Sequence, residues 1–142
     1  TYPYLNISKN EIEKCLDFLY EINLLGINAK ITNAVPFCVT ENKQKARLTL
    51  VGAYADDGRS RLIYDARGYF KPSYFLDINL GNTIKNALTH SFLKKIKSLD
   101  YLPKICKGCL FLRHCRGGSR FLAFQNYKNY FEPDPLITTR LT

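Results

Sequence analysis

Three of the five cysteines, Cys106, Cys109 and Cys115, fall in the pattern C-x2-C-x5-C, with Gly117 and Gly118 close behind. Thiolates are soft ligands, and closely spaced cysteines in a loop can wrap a zinc ion or an iron-sulfur cluster. The two glycines let the backbone turn tightly after the last thiol. Three thiols suit zinc as readily as iron, and either needs a further ligand. Cys38 follows Pro36, which ends regular pairing and delivers the thiol to a loop, as a ligand or as a plug. Cys15 lies on the apolar stripe Ile12, Cys15, Leu16, Leu19, Ile22 of an expected helix and reads as a core residue.

The elements that must position these thiols begin with that helix. Ser8 and Glu11 fit a capping box at its start, and Gly26 supplies its stop. Ile27 to Thr32 alternates like a short strand, and Pro3 fixes an extended entry over Tyr2 to Leu5. Residues 46–70 read as a hairpin, with strands over Arg47–Tyr54 and Arg59–Tyr64 about an Asp57-Gly58 turn. Lys43, Lys45, Arg47, Arg59 and Arg61 then lie on or beside one sheet edge, as a basic surface or as protection against edge pairing. Turns follow at Gly68–Ser73 and Leu80–Thr83. A single helix is expected from Thr83 to Leu99, with Ile84, Leu88, Phe92 and Ile96 on one face and His90 solvated off it. Pro103 stops the chain before the cysteine loop, and Pro133 and Pro135 exclude a helix at the end.

Composition bounds what this arrangement can do. At 142 residues, 46% hydrophobic and 23% charged, the chain has the size and make-up of one folded domain. It begins at Thr1 and contains no Met, which points to an excised or processed piece of something longer. No apolar run approaches the roughly 18 residues that span a bilayer, and no signal-peptide pattern opens the sequence. A cytoplasmic setting is expected, where cysteines stay reduced and metal ligation outranks a disulfide framework. A net charge of +9 suits an acidic partner, although Lys and Arg also serve as plain solvated surface.

Taken in order, these landmarks resemble the SPASM domain, the C-terminal auxiliary domain of radical SAM enzymes that modify peptides and proteins. The resemblance is carried by Asn33-Ala34-Val35-Pro36-Phe37-Cys38, the hairpin, Gly68-x4-Ser73, Leu80-Gly81-Asn82, a helix, and Leu102-Pro103-x2-Cys106-x2-Cys109-x5-Cys115-x3-Ser119. It implies an α+β fold: residues 1–32 as the last helix and strand of a partial barrel, then a SPASM-like domain over 33–142 with hairpin, flanking helices and cysteine-rich loop. It also implies up to two auxiliary [4Fe-4S] clusters. The family's first cluster would use the positions of Cys38, Ser73 and Ser119, where a lone thiolate remains, so that cluster is expected to be lost. The second would use Cys106, Cys109, Cys115 and a ligand near the C-terminus, where Asp134 stands in place of a cysteine. A serine, His114, an exogenous ligand or none are the alternatives.

The resemblance therefore implies a degenerate domain that recognises a precursor peptide or protein and carries at most one cluster, beside a radical SAM barrel in a parent chain. No C-x3-C-x2-C loop for S-adenosylmethionine chemistry is present, so the chain alone is not expected to catalyse that chemistry. The competing expectation is a zinc-binding interaction module with a basic surface. No membrane partner is expected, and nucleic acid is not the favoured one.

Overall fold

A computed structural model describes residues 7–53 and 57–137. The expected entry over Tyr2–Leu5 and the end of the first expected strand at Tyr54 lie outside the described residues. Helix α1 (Lys9–Leu24) starts at the expected capping box: the Glu11 N–H donates to Ser8 Oγ, and Glu11 Oε2 accepts from the Ser8 N–H at 2.8 Å. Gly26, at φ +85°, turns the chain out of the helix. Asn23 Nδ2 then ties the exit down, donating to the carbonyls of Leu19 and Ala29 at 2.7 Å each.

The next expectations need correction. The stretch after Gly26 forms no strand; it makes one parallel bridge, Ile31 to Leu50, with the Ile31 N–H on the Thr49 carbonyl at 2.7 Å. Residues Lys43–Thr49 are helix α2, where the first strand of a hairpin was expected. Asn42 caps this helix by accepting from the Lys45 N–H at 3.0 Å, and Lys, Gln, Ala and Arg in sequence are strong helix formers. The hairpin exists further on, between β1 (Ile63–Tyr64) and β2 (Phe70–Lys71), antiparallel with Ile63 opposite Lys71 and Tyr64 opposite Phe70. Its turn is set by Asp65, which accepts from the Arg67 N–H, and by Gly68 at φ +86°. On its far side β2 is covered by Leu80 and Gly81 through Phe70 backbone bonds of 2.9 and 2.8 Å.

The expected long helix is two, α3 (Ile84–Thr89) and α4 (Ser91–Ser98), broken at His90. After the short α5 (Leu112–Cys115) comes α6 (Arg120–Tyr127). Among the described residues the architecture is α+β, helices with one two-stranded sheet. No helix among the described residues is long and apolar enough to cross a membrane.

Among the described residues, two apolar clusters form the core. One joins Ile12 and Leu16 of α1 to Phe37, Cys38, Val39, Ala46, Leu50, Phe111 and Cys115, so the first helix shares a core with the cysteine loop. The other gathers Leu76, Leu80 and Ala87 with Phe92, Leu93 and Ile96 of α4. A fully buried Leu such as Leu16 contributes about 2 kcal/mol over leaving it exposed. Cys15, expected in the core, is exposed instead. The buried stripe of α1 narrows to Ile12 and Leu16, and Cys15 borders an open groove beside it.

Candidate metal centre

The cysteine loop is built from short turns. Pro103 leads into a 3-10 turn, Lys104–Cys106, and Gly108 at φ +73° lets the Cys109 N–H fold back onto the Cys106 carbonyl at 3.2 Å. Helix α5 carries the chain to Cys115, and Arg116 in the left-handed region ends it. Cys38 lies in a separate 3-10 turn, Phe37–Val39, entered from Pro36. The Phe37 and Phe111 rings stack with centroids 4.7 Å apart, bringing that turn onto the start of α5. Gly52 permits this approach: a Cβ there would lie 2.5 Å from the His114 carbonyl oxygen and 2.9 Å from the Phe37 ring.

The result is a cavity of about 20 Å³ lined by all four of Cys38, Cys106, Cys109 and Cys115, with Phe37, Leu112 and other apolar neighbours. Cys38 and Cys115 are buried, Cys106 and Cys109 half-buried, and none is in a disulfide. Burial pushes the Cys106 thiol up to about 12, and repulsion from Cys115, Cys38 and Cys109 adds to it. Burial likewise raises Cys115 to about 11, partly opposed by the N–H groups of Phe37, Gly117 and Gly118, which hydrogen-bond its sulfur. Burial thus favours the protonated thiol at Cys106 and Cys115.

The four-iron cluster that the family resemblance implies does not fit this space. A single water needs about 10–15 Å³, so the cavity has room for about one water and not for the eight core atoms of a [4Fe-4S] cube. Among the described residues, no three His, Cys, Asp or Glu side chains stand together so as to hold a metal ion. The thiols line the cavity without meeting at one point.

Asp134, expected as the fourth ligand, is occupied elsewhere. Its Oδ2 accepts from the Ser119 N–H at 2.6 Å and its Oδ1 from the Leu136 N–H at 2.8 Å, and the residue is 1% exposed. It does not line the cysteine cavity. Gly118 is what admits it, since a Cβ there would stand 2.5 Å from Asp134 Oδ2. Ser119 caps α6 by accepting from the Leu122 N–H at 3.2 Å. Ser73 is fully buried and accepts from the Leu76 N–H at 3.3 Å. His114 is exposed and lies outside the cavity lining. His90 is half-buried, its Nδ1 accepting from the Phe92 N–H at 3.1 Å, so it caps α4 where solvation was expected.

The expected basic edge does not assemble. Lys43, Lys45 and Arg47 lie on α2, where Lys45 pairs with Asp17 of α1. Arg59 instead pairs with Asp57 at 3.1 Å, and Arg61 lies over the Tyr74 ring. Asp57, read as a turn residue, is 2% exposed and also faces Arg116 Nε at 2.9 Å. That second contact is off-line for a hydrogen bond, so it acts as a charge pair. The Asp57-Gly58 pair reads locally as a turn, and its meeting with Arg116 is a long-range contact that no local pattern marks.

On the other side of the segment Pro135–Ile137 lies an open, mostly apolar groove of about 680 Å³. Ile12, Val35, Phe75, Phe121, Leu122 and Leu136 are among its walls. Pro135 and Leu136 face the groove, and Ile137 faces the cysteine cavity. No protein-family model matches this chain, and neither a curated protein nor a solved structure matches it.

Proposed function

We propose that this chain is the substrate-recognition domain of a radical SAM peptide-modifying enzyme, in a degenerate form that keeps the cysteine loop and has given up the four-iron clusters. The observation that carries the reading is the adjacency of groove and thiol cavity across Pro135–Ile137. An open apolar groove with Asn33, Asn126 and Ser119 on its walls suits an extended peptide, whose side chains fill the apolar floor while its backbone finds polar partners. Catalysis of the radical step belongs to a barrel domain in the parent chain, and this domain presents the peptide to it.

Panning a displayed library of extended peptides against the 142-residue chain tests the reading. Peptides with apolar side chains at alternate positions should be enriched and should be lost on Phe75→Asp, a wall residue already 52% exposed. Enrichment that Phe75→Asp and Leu122→Asp leave intact would place the binding elsewhere and remove the reading.

The second reading, a zinc-binding interaction module, draws on the four cysteines that line one cavity. The two readings share the thiols and differ in the partner: a precursor peptide in the first, an acidic partner met by the basic surface in the second.

A further inference from the structure

We infer that the solvent side of α4, together with Lys128, is a docking face for an acidic peptide segment. The first observation is where the charge lies. Residues 78–131 hold ten Lys and Arg and a single carboxylate, Asp100, so this stretch carries the whole net charge of +9, while the other 88 residues hold eleven of each sign. Arg116 and Arg120 are buried, and the remaining eight cations of the stretch are exposed. Every ion pair among the described residues uses a carboxylate outside the stretch, and none of the eight takes part in one.

Packing assembles the face. Phe92, Leu93 and Ile96 turn one side of α4 into the second apolar cluster, which leaves Lys94, Lys95 and Lys97 on the other. Lys128 follows α6 and reaches the same group of rings. Lys95 Nζ lies 4.0 Å from the Phe131 ring centroid and Lys128 Nζ 5.8 Å from that of Phe124, and Phe92 and Tyr130 join the two rings. Ammonium groups gathered without carboxylates between them repel one another, so a polyanion laid across them gains attraction and relieves that repulsion. Two features favour an acidic peptide over a nucleic acid. The cations of the face are all lysines, point charges without the guanidinium fork that grips a phosphate in two places. The ring surfaces on which nucleobases would stack are taken, since Tyr130 stacks on Phe124 with centroids 4.3 Å apart and Lys95 covers Phe131. The inference gives the acidic partner of the second reading a place and a chemical class, and rests on that reading for the partner alone. Metal content and peptide panning test other parts of the two readings and can fail without it.

Fluorescence anisotropy of the 142-residue chain with a labelled oligoglutamate peptide is the test. Binding should weaken as salt is raised, and Lys94→Glu with Lys97→Gln should weaken it about tenfold. Glutamine is used at Lys97 because a carboxylate there would face the C-terminal end of α4. Lys9→Glu with Lys30→Gln makes the same change in net charge at exposed positions outside the stretch, and should leave binding within about twofold. Equal losses in the two variants would show a response to net charge alone and overturn the face. So would an oligoglutamate that does not bind, or binds without regard to salt. Tighter binding of a labelled oligothymidylate of equal charge, lost in the α4 variant, would assign the face to nucleic acid and overturn the peptide.

Discussion

Asp134 shows how one buried carboxylate can reveal itself through pH. Burial raises its pKa to about 6, against the opposing pull of the Leu136 and Ser119 N–H groups and of Arg120. A carboxyl held above its unfolded value binds its proton more tightly in the native state. Its contribution to stability is therefore complete below the unfolded value and is lost as pH rises through about 6. Asp57, also raised by burial, acts in the same direction. Denaturant unfolding should show the protein about 1 kcal/mol more stable at pH 5 than at pH 7 from Asp134 alone, and Asp134→Asn should remove that difference. A pH slope untouched by Asp134→Asn would mean that other groups set it. Asp65 and Asp77, both lowered by bonds to Arg67 and Lys71, turn the trend round only in stronger acid.

Among the elements, α3 and α4 carry the most instructive departure from the sequence pattern. Spacing of four through Ile84, Leu88, Phe92 and Ile96 predicts one continuous stripe, yet Ile84 and Leu88 are 53% and 51% exposed. His90 breaks the helix with ψ 140° and restarts it as a cap, so Ala87 turns inward instead. Periodicity cannot register such a break, because an imidazole is not a standard capping signal and no glycine or proline marks it. His90→Ala should cost about 1 kcal/mol, and His90→Asn, which restores a side-chain acceptor, should recover most of it. Equal thermal midpoints for the two variants would show that the cap contributes nothing. Helix α1, by contrast, was legible at both ends because Ser8, Glu11 and Gly26 each satisfy a local backbone requirement. The cysteine loop was legible for the same reason. Cys38 as its companion was not, since their meeting depends on an aromatic stack and a tight approach at Gly52. Leu48, Thr49 and Val51 suit a strand, but the Asn42 cap starts a helix through them to Thr49.

At the scale of the whole molecule, Arg116 joins the two apolar clusters. It follows Cys115 of the first cluster, donates to the Ile96 carbonyl in the second, and faces Asp57 between them. The Tyr101 hydroxyl donates to its carbonyl at 3.0 Å. Burial lowers the Arg116 pKa, and Asp57 works against that shift. Asp57→Ala leaves the guanidinium buried without its carboxylate and should cost about 3–5 kcal/mol, most of which Asp57→Ala with Arg116→Met should regain. Additive losses in the double variant, measured by chemical denaturation, would show that the two side chains act separately. Arg120 makes a tie of a different kind, donating to the carbonyls of Gly117, Tyr130 and Glu132. All three lie close to it along the chain, so this segment closes on itself at little loop-closure entropy. The wall shared by the groove and the thiol cavity is thus joined to a part of the chain suited to fold early, ahead of the distant meeting between Cys38 and the cysteine loop.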